Sequence, residues 1–102
     1  MKKNKLYFCE FTNYDYIKEE ESKDIMLEYY SILNEEKELY GIEICKKEKS
    51  NLGIENIEKN VVINYTRDKE EVERIIKCMF ENKVTPISLQ DILRDINIKT
   101  SN

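Results

Sequence analysis

The chain has 102 residues, enough for one domain with its own core. Charged residues reach 37%, yet both signs are mixed along the chain and the net charge is −4, so there is no basic patch of the kind that holds nucleic acid. No apolar run approaches membrane-spanning length, which argues against a membrane partner.

The missing residue types exclude more. With no histidine, the usual general base at neutral pH is absent, and so are Ser-His and Cys-His nucleophile pairs. Gly41 and Gly53 are the only glycines, too few for a phosphate-cradling loop. Cys9, Cys45 and Cys78 form no close pair, so neither a disulfide framework nor a zinc site is expected. Three reduced thiols, no cofactor, no metal and a cytoplasmic location are the expectation. Met1 to Lys5 is basic, but Leu6-Tyr7-Phe8-Cys9 is too short for a signal-peptide core.

Residues 1–5 are polar and expected to fray. Leu6 to Tyr16 is aromatic-rich and suits a strand. Lys18 to Asp24 reads as a charged connector, and nothing near Glu19, Glu20 and Glu21 would fix them as a cation site.

Met26 to Lys46 organises the chain as a β-hairpin with Asn34-Glu35-Glu36-Lys37 as its loop. That loop sets Leu33 opposite Glu38, Ile32 opposite Leu39 and Tyr30 opposite Gly41. The period of two then puts Leu27, Tyr29, Tyr40, Ile42 and Ile44 on a core face. Met26, Glu28, Tyr30, Ile32, Leu39, Gly41, Glu43 and Cys45 fall on the other face.

Glu48 to Gly53 carries turn residues, Ile54 to Lys59 fits neither period, and Val61, Ile63 and Tyr65 alternate as a further strand. Asp68 and Glu71 make a capping box. Behind it Val72, Ile75, Ile76, Met79 and Phe80 form an amphipathic stripe, with Glu70–Arg74 and Glu73–Lys77 spaced to pair on the outer face. Cys78 lies off the stripe, and Asn82 or Lys83 ends the helix. A short second helix, capped by Thr85 ahead of Pro86 or by Ser88 ahead of Asp91, runs to about Ile96. It buries Leu89, Ile92, Leu93 and Ile96, and Asn97 to Asn102 is expected to be loose. Two helices on a short link suggest a helix-turn-helix, but Asp91 and Asp95 on the outer face would repel phosphate. Those two carboxylates alone are also a poor cation site.

Three stretches carry a resemblance: Tyr40-Gly41-Ile42-Glu43-Ile44, then Asp68 to Glu73, then Glu81 to Ile96 with its Val84-Thr85-Pro86 start. Over roughly residues 26–96 the chain resembles a small family of unknown function from low-GC, often spore-forming, Gram-positive bacteria. The resemblance implies a bacterial cytosolic protein with no assigned activity and transfers no site residues.

The expected fold is α+β: a three- or four-stranded antiparallel β-meander, then two C-terminal helices packed on one face. The helix stripe should meet Leu27, Tyr29, Tyr40, Ile42 and Ile44, together with Val61, Ile63 and Tyr65. The expected function is a non-catalytic interaction or regulatory module whose partner is a protein or a second copy. Its candidate interface is Tyr30, Ile32, Leu39 and Gly41, on the face that the helices leave open, unless Leu6 to Phe11 folds over it. The alternative is a small-ligand binder or enzyme using carboxylates and tyrosines in a pocket between sheet and helices.

Overall fold

The computed structural model describes residues 1–14 and 21–100, with Tyr14 and residues 97–100 described by backbone alone. Tyr16, Lys18, Glu19 and Glu20 of the sequence argument lie outside the described residues. Four strands come first: β1 (Lys2–Tyr14), β2 (Ser22–Asn34), β3 (Leu39–Ser50) and β4 (Glu55–Thr66). Helix α1 (Lys69–Glu81), a 3-10 turn at Pro86–Ser88 and helix α2 (Leu89–Thr100) follow. The strands form one antiparallel sheet in the order β1-β2-β3-β4, an α+β meander with two C-terminal helices.

The strands are longer than the sequence patterns suggest. Lys2–Lys5, expected to fray, pair with Tyr30–Leu33, because β2 extends far enough to receive them. Ser22–Asp24, assigned to the connector, already belong to β2. Glu55–Lys59, which fit neither period, are the first half of β4.

The central hairpin turns one residue later than expected. Its loop is Glu35–Glu38, so Asn34 pairs with Leu39, Ile32 with Gly41 and Tyr30 with Glu43. Asn34 stays in the strand, where its side-chain amide donates to Asn64 Oδ1 at 3.1 Å, while Glu38 takes the left-handed turn position at φ 53°. The slip preserves parity, so both faces keep the residues assigned to them.

Strand β4 does not present the face expected of it. Ile42 pairs with Val62, so Val62 packs on the core while Val61 and Ile63 stand exposed on the opposite face. An irregularity opposite Gly41, with Asn64 at φ 54°, then turns Tyr65 back to the core side.

Asp68 caps α1, its carboxylate accepting from the amides of Glu70 and Glu71. The capping box closes differently from the sequence expectation, because Glu71 accepts from the Thr66 hydroxyl at 2.9 Å. On the outer face Glu73 pairs backward with Lys69 at 4.0 Å. The helix ends with Lys83 in the left-handed region at φ 51°. There the Val84 amide reaches the Met79 carbonyl and the Lys83 amide the Phe80 carbonyl, a Schellman arrangement without its usual glycine. Pro86 opens the 3-10 turn, and Thr85 makes no side-chain cap bond.

Leu27, Tyr29, Ile42 and Ile44 meet Val72, Ile76, Met79 and Leu89 in the core, all fully buried. The buried Tyr29 hydroxyl donates to the Val84 carbonyl at 2.8 Å, which ties the sheet to the link between the helices. Tyr7 stacks on Phe80 at 4.8 Å and so holds β1 to α1. Strands of this length run about 40 Å, whereas α1 spans about 20 Å. The helices therefore cover only part of the sheet, and Asn51 to Lys59 are all exposed.

Candidate interaction face

The face opposite the helices is laced by charge. Glu28 in β2 has a side chain only 4% exposed. Its Oε2 accepts from Lys5 of β1 at 2.8 Å and from the Tyr30 hydroxyl at 2.9 Å. Lys47 of β3 stands 2.8 Å from Oε1 but outside hydrogen-bonding geometry, so the pair is a charge contact. A second bridge joins Lys3 of β1 to Glu43 of β3 at 2.9 Å, passing over β2, where the Lys3 ammonium sits 4.4 Å above the Tyr30 ring. Strand β1 lies in the sheet as an edge, so its residues do not fold over this face. What reaches across is its lysines.

These contacts set the chemistry. Burial raises the Glu28 carboxyl, and the opposing contacts from Lys47, Lys5 and Tyr30 outweigh it, holding the group down at about 2. Burial, then the hydrogen bond to Glu28, pushes the Tyr30 hydroxyl up to about 12. Burial and the Glu28 charge raise the Cys45 thiol, which lies opposite Glu28 in the ladder. Each of these shifts moves a group away from neutrality, and an acid–base catalyst needs the reverse. The cluster is built as a strut across three strands.

The four residues singled out in the sequence come together, but not as an open patch. Ile32 lies opposite Gly41, and both are buried. Tyr30 is two residues along β2 away from the turn, Leu39 two along β3 toward it, and both are half-buried. Gly41 is there because β4 crosses closely. A Cβ at Gly41 would fall on the Val62 carbonyl oxygen and 2.8 Å from the Ile63 Cα.

The exposed apolar surface is elsewhere. Ile57, Val61 and Ile63 are 58%, 44% and 48% exposed along the open face of β4, with Leu52 and Ile54 beyond them on the β3–β4 turn. Sequence reasoning missed this stripe because it assigned Val61 and Ile63 to the helices. The register of Ile42 with Val62 decides the matter, and that register lies outside β4's own pattern. It missed the Glu28 strut because both lysines come from other strands.

A groove of about 640 Å³ lies at the end of the sheet away from the helices, lined by all four strands, among them Thr12, Met26, Lys47 and Ile57. It is open and does not lie between sheet and helices, where the alternative reading looked for a pocket. In that seam the core side chains pack directly. Among the described residues no helix is long and apolar enough to cross a membrane. The model of a family of unknown function (DUF6514) matches residues 9–99. No curated protein and no solved structure is significantly similar to the chain.

Proposed function

Since the chain belongs to this family of unknown function, which brings no activity with it, we propose from its own residues that it is a non-catalytic protein-interaction module. The surface it offers is the open face and free edge of β4. The observation that carries the reading is the concentration of exposed apolar side chains there: Leu52, Ile54, Ile57, Val61 and Ile63 lie on one hairpin. Elsewhere on the open face ion pairs cross the strands, and the one large apolar side chain left more than half exposed among the described residues there is Phe8 of β1, with the Lys5 ammonium 5.5 Å from its ring. Contiguous apolar surface left beside a polar rim marks an interface in soluble proteins. Tyr30 and Leu39, half-buried next to this stripe, serve as its inner margin, and Ile32 and Gly41 support it from below. A reducing, cytoplasmic setting in a low-GC Gram-positive bacterium belongs to the reading, supported by three free thiols.

The test is site-specific photo-crosslinking in cells that make the chain at its native level, with the probe at Val61 or at Arg74 on the outer face of α1. Adducts at Val61 and not at Arg74, each identified by mass and reproduced with purified protein, are expected. Equal labelling at the two positions, or none at Val61, overturns the reading.

A further inference from the structure

We infer that the partner at this surface is a second copy of the chain, joined through the first half of β4 in an antiparallel pair whose two-fold axis passes through Ile57. The inference rests on the interaction reading above and names its occupant.

β4 is an edge strand, paired with β3 on one side only, and its first five residues are all exposed. The helical layer reaches β4 at Asn60, whose side-chain amide donates to the Pro86 carbonyl at 2.8 Å and exchanges hydrogen bonds with Gln90. Residues 55–59 therefore project beyond the helices, and a neighbouring strand can approach without meeting them.

The charges along this edge are complementary to themselves. The segment reads Glu55-Asn56-Ile57-Glu58-Lys59. Set antiparallel to itself about Ile57, it places Glu55 opposite the partner subunit's Lys59, Asn56 opposite the partner subunit's Glu58, and Ile57 opposite the partner subunit's Ile57. Both Glu–Lys pairs and the Ile–Ile pair fall on the open face, because a two-fold axis normal to the sheet preserves faces. The Asn–Glu pairs fall on the helix side, where an amide can donate to a carboxylate. No like charges face each other. The same register carries Val61 and Ile63 past the end of the pairing toward the partner's β3–β4 turn, which displays Leu52 and Ile54. Ser50 holds that turn, its hydroxyl accepting from the amides of Leu52 and Ile54.

The other edge of the sheet is guarded. β1 carries Lys2, Lys3 and Lys5 and a bulge at Leu6, devices that discourage strand addition. Pairing through β4 closes with two copies and leaves the guarded edges outward, as an eight-stranded sheet. Among the described residues, the Lys49–Glu55 contact, 3.9 Å long between exposed side chains, is the ion pair on the segment that would have to rearrange.

The experiment is sedimentation equilibrium of the full chain at low salt, over micromolar to millimolar concentrations, on wild type, Lys59→Glu and the double swap Glu55→Lys/Lys59→Glu. All four charged positions of the pair are exposed, so circular dichroism should show the same fold throughout. The wild type is expected to dimerise. Lys59→Glu, which sets carboxylate against carboxylate twice, should weaken the dimer by about tenfold or more, and the double swap should restore it to within about threefold. A monomeric wild type overturns self-pairing but leaves the interaction reading to the crosslinks, where an adduct with a different protein keeps it and no adduct removes it. A dimer indifferent to Lys59→Glu, or one the double swap fails to restore, overturns this register.

Discussion

Gly41 shows how one residue can be required by a strand it does not belong to. Its own strand would accept a side chain, but the β4 backbone passes where the Cβ would be. Gly41→Ala should cost about 1–3 kcal/mol, because backbone, unlike a flexible side chain, cannot move aside cheaply. Urea unfolding would show it as a lower midpoint, and an unchanged midpoint would mean that β4 can shift. Glu28 makes the complementary case. Its carboxyl sits at about 2 in the folded chain against 4.5 unfolded, so its contribution is complete above pH 4.5 and is lost as pH falls toward 2. Glu28→Gln should destabilise the protein by about 1–3 kcal/mol at neutral pH, with half-exposed Lys5 and Lys47 free to return to water. The gap between wild type and variant should close across pH 4.5 to 2. A gap that stays constant through that window would show that the charge is not what matters.

Elements were readable from the sequence in proportion to how local their signals are. Helix α1 carries its own stripe and its own cap, and the structure buries Val72, Ile75, Ile76 and Met79 as the spacing requires. Asp68→Ala should therefore cost about 1 kcal/mol, seen as a lower melting temperature, whereas Asp68→Asn should be close to neutral because the amide oxygen can still accept. An equal loss in both variants would point to charge at the helix start instead of the cap bond. Strands were harder. The central hairpin kept its faces through a slip in its loop, since parity survives a shift that moves both arms together. In β4 a single alternating run was compatible with either face, and only pairing with β3 chose between them. The candidate site followed the same rule. Tyr30, Ile32, Leu39 and Gly41 were rightly placed together on one face, but lysines from β1 and the crossing of β4 determined how much of that face stayed open. Nothing within residues 26–46 encodes either.

At the scale of the whole molecule, the helices are shorter than the sheet they cover, and this asymmetry divides the protein. One half of the sheet is a conventional two-layer core. The other is a bare ribbon whose strands are held by their ladder hydrogen bonds and by ion pairs, and the exposed apolar residues of β4 and the β3–β4 turn gather at its margin. The meander order has a further consequence. Every pair in the sheet joins strands that are neighbours along the chain, with no crossover to wait for. On a ribosome each strand emerges next to the one it will bond, and the sheet can be laid down hairpin by hairpin before either helix exists. The helices, made after the sheet, are what seal Leu27, Tyr29, Ile42 and Ile44 from water. Until then the nascent chain carries an uncovered apolar sheet face, so the interval between the emergence of β4 and that of the helices is when it most needs protection from its neighbours.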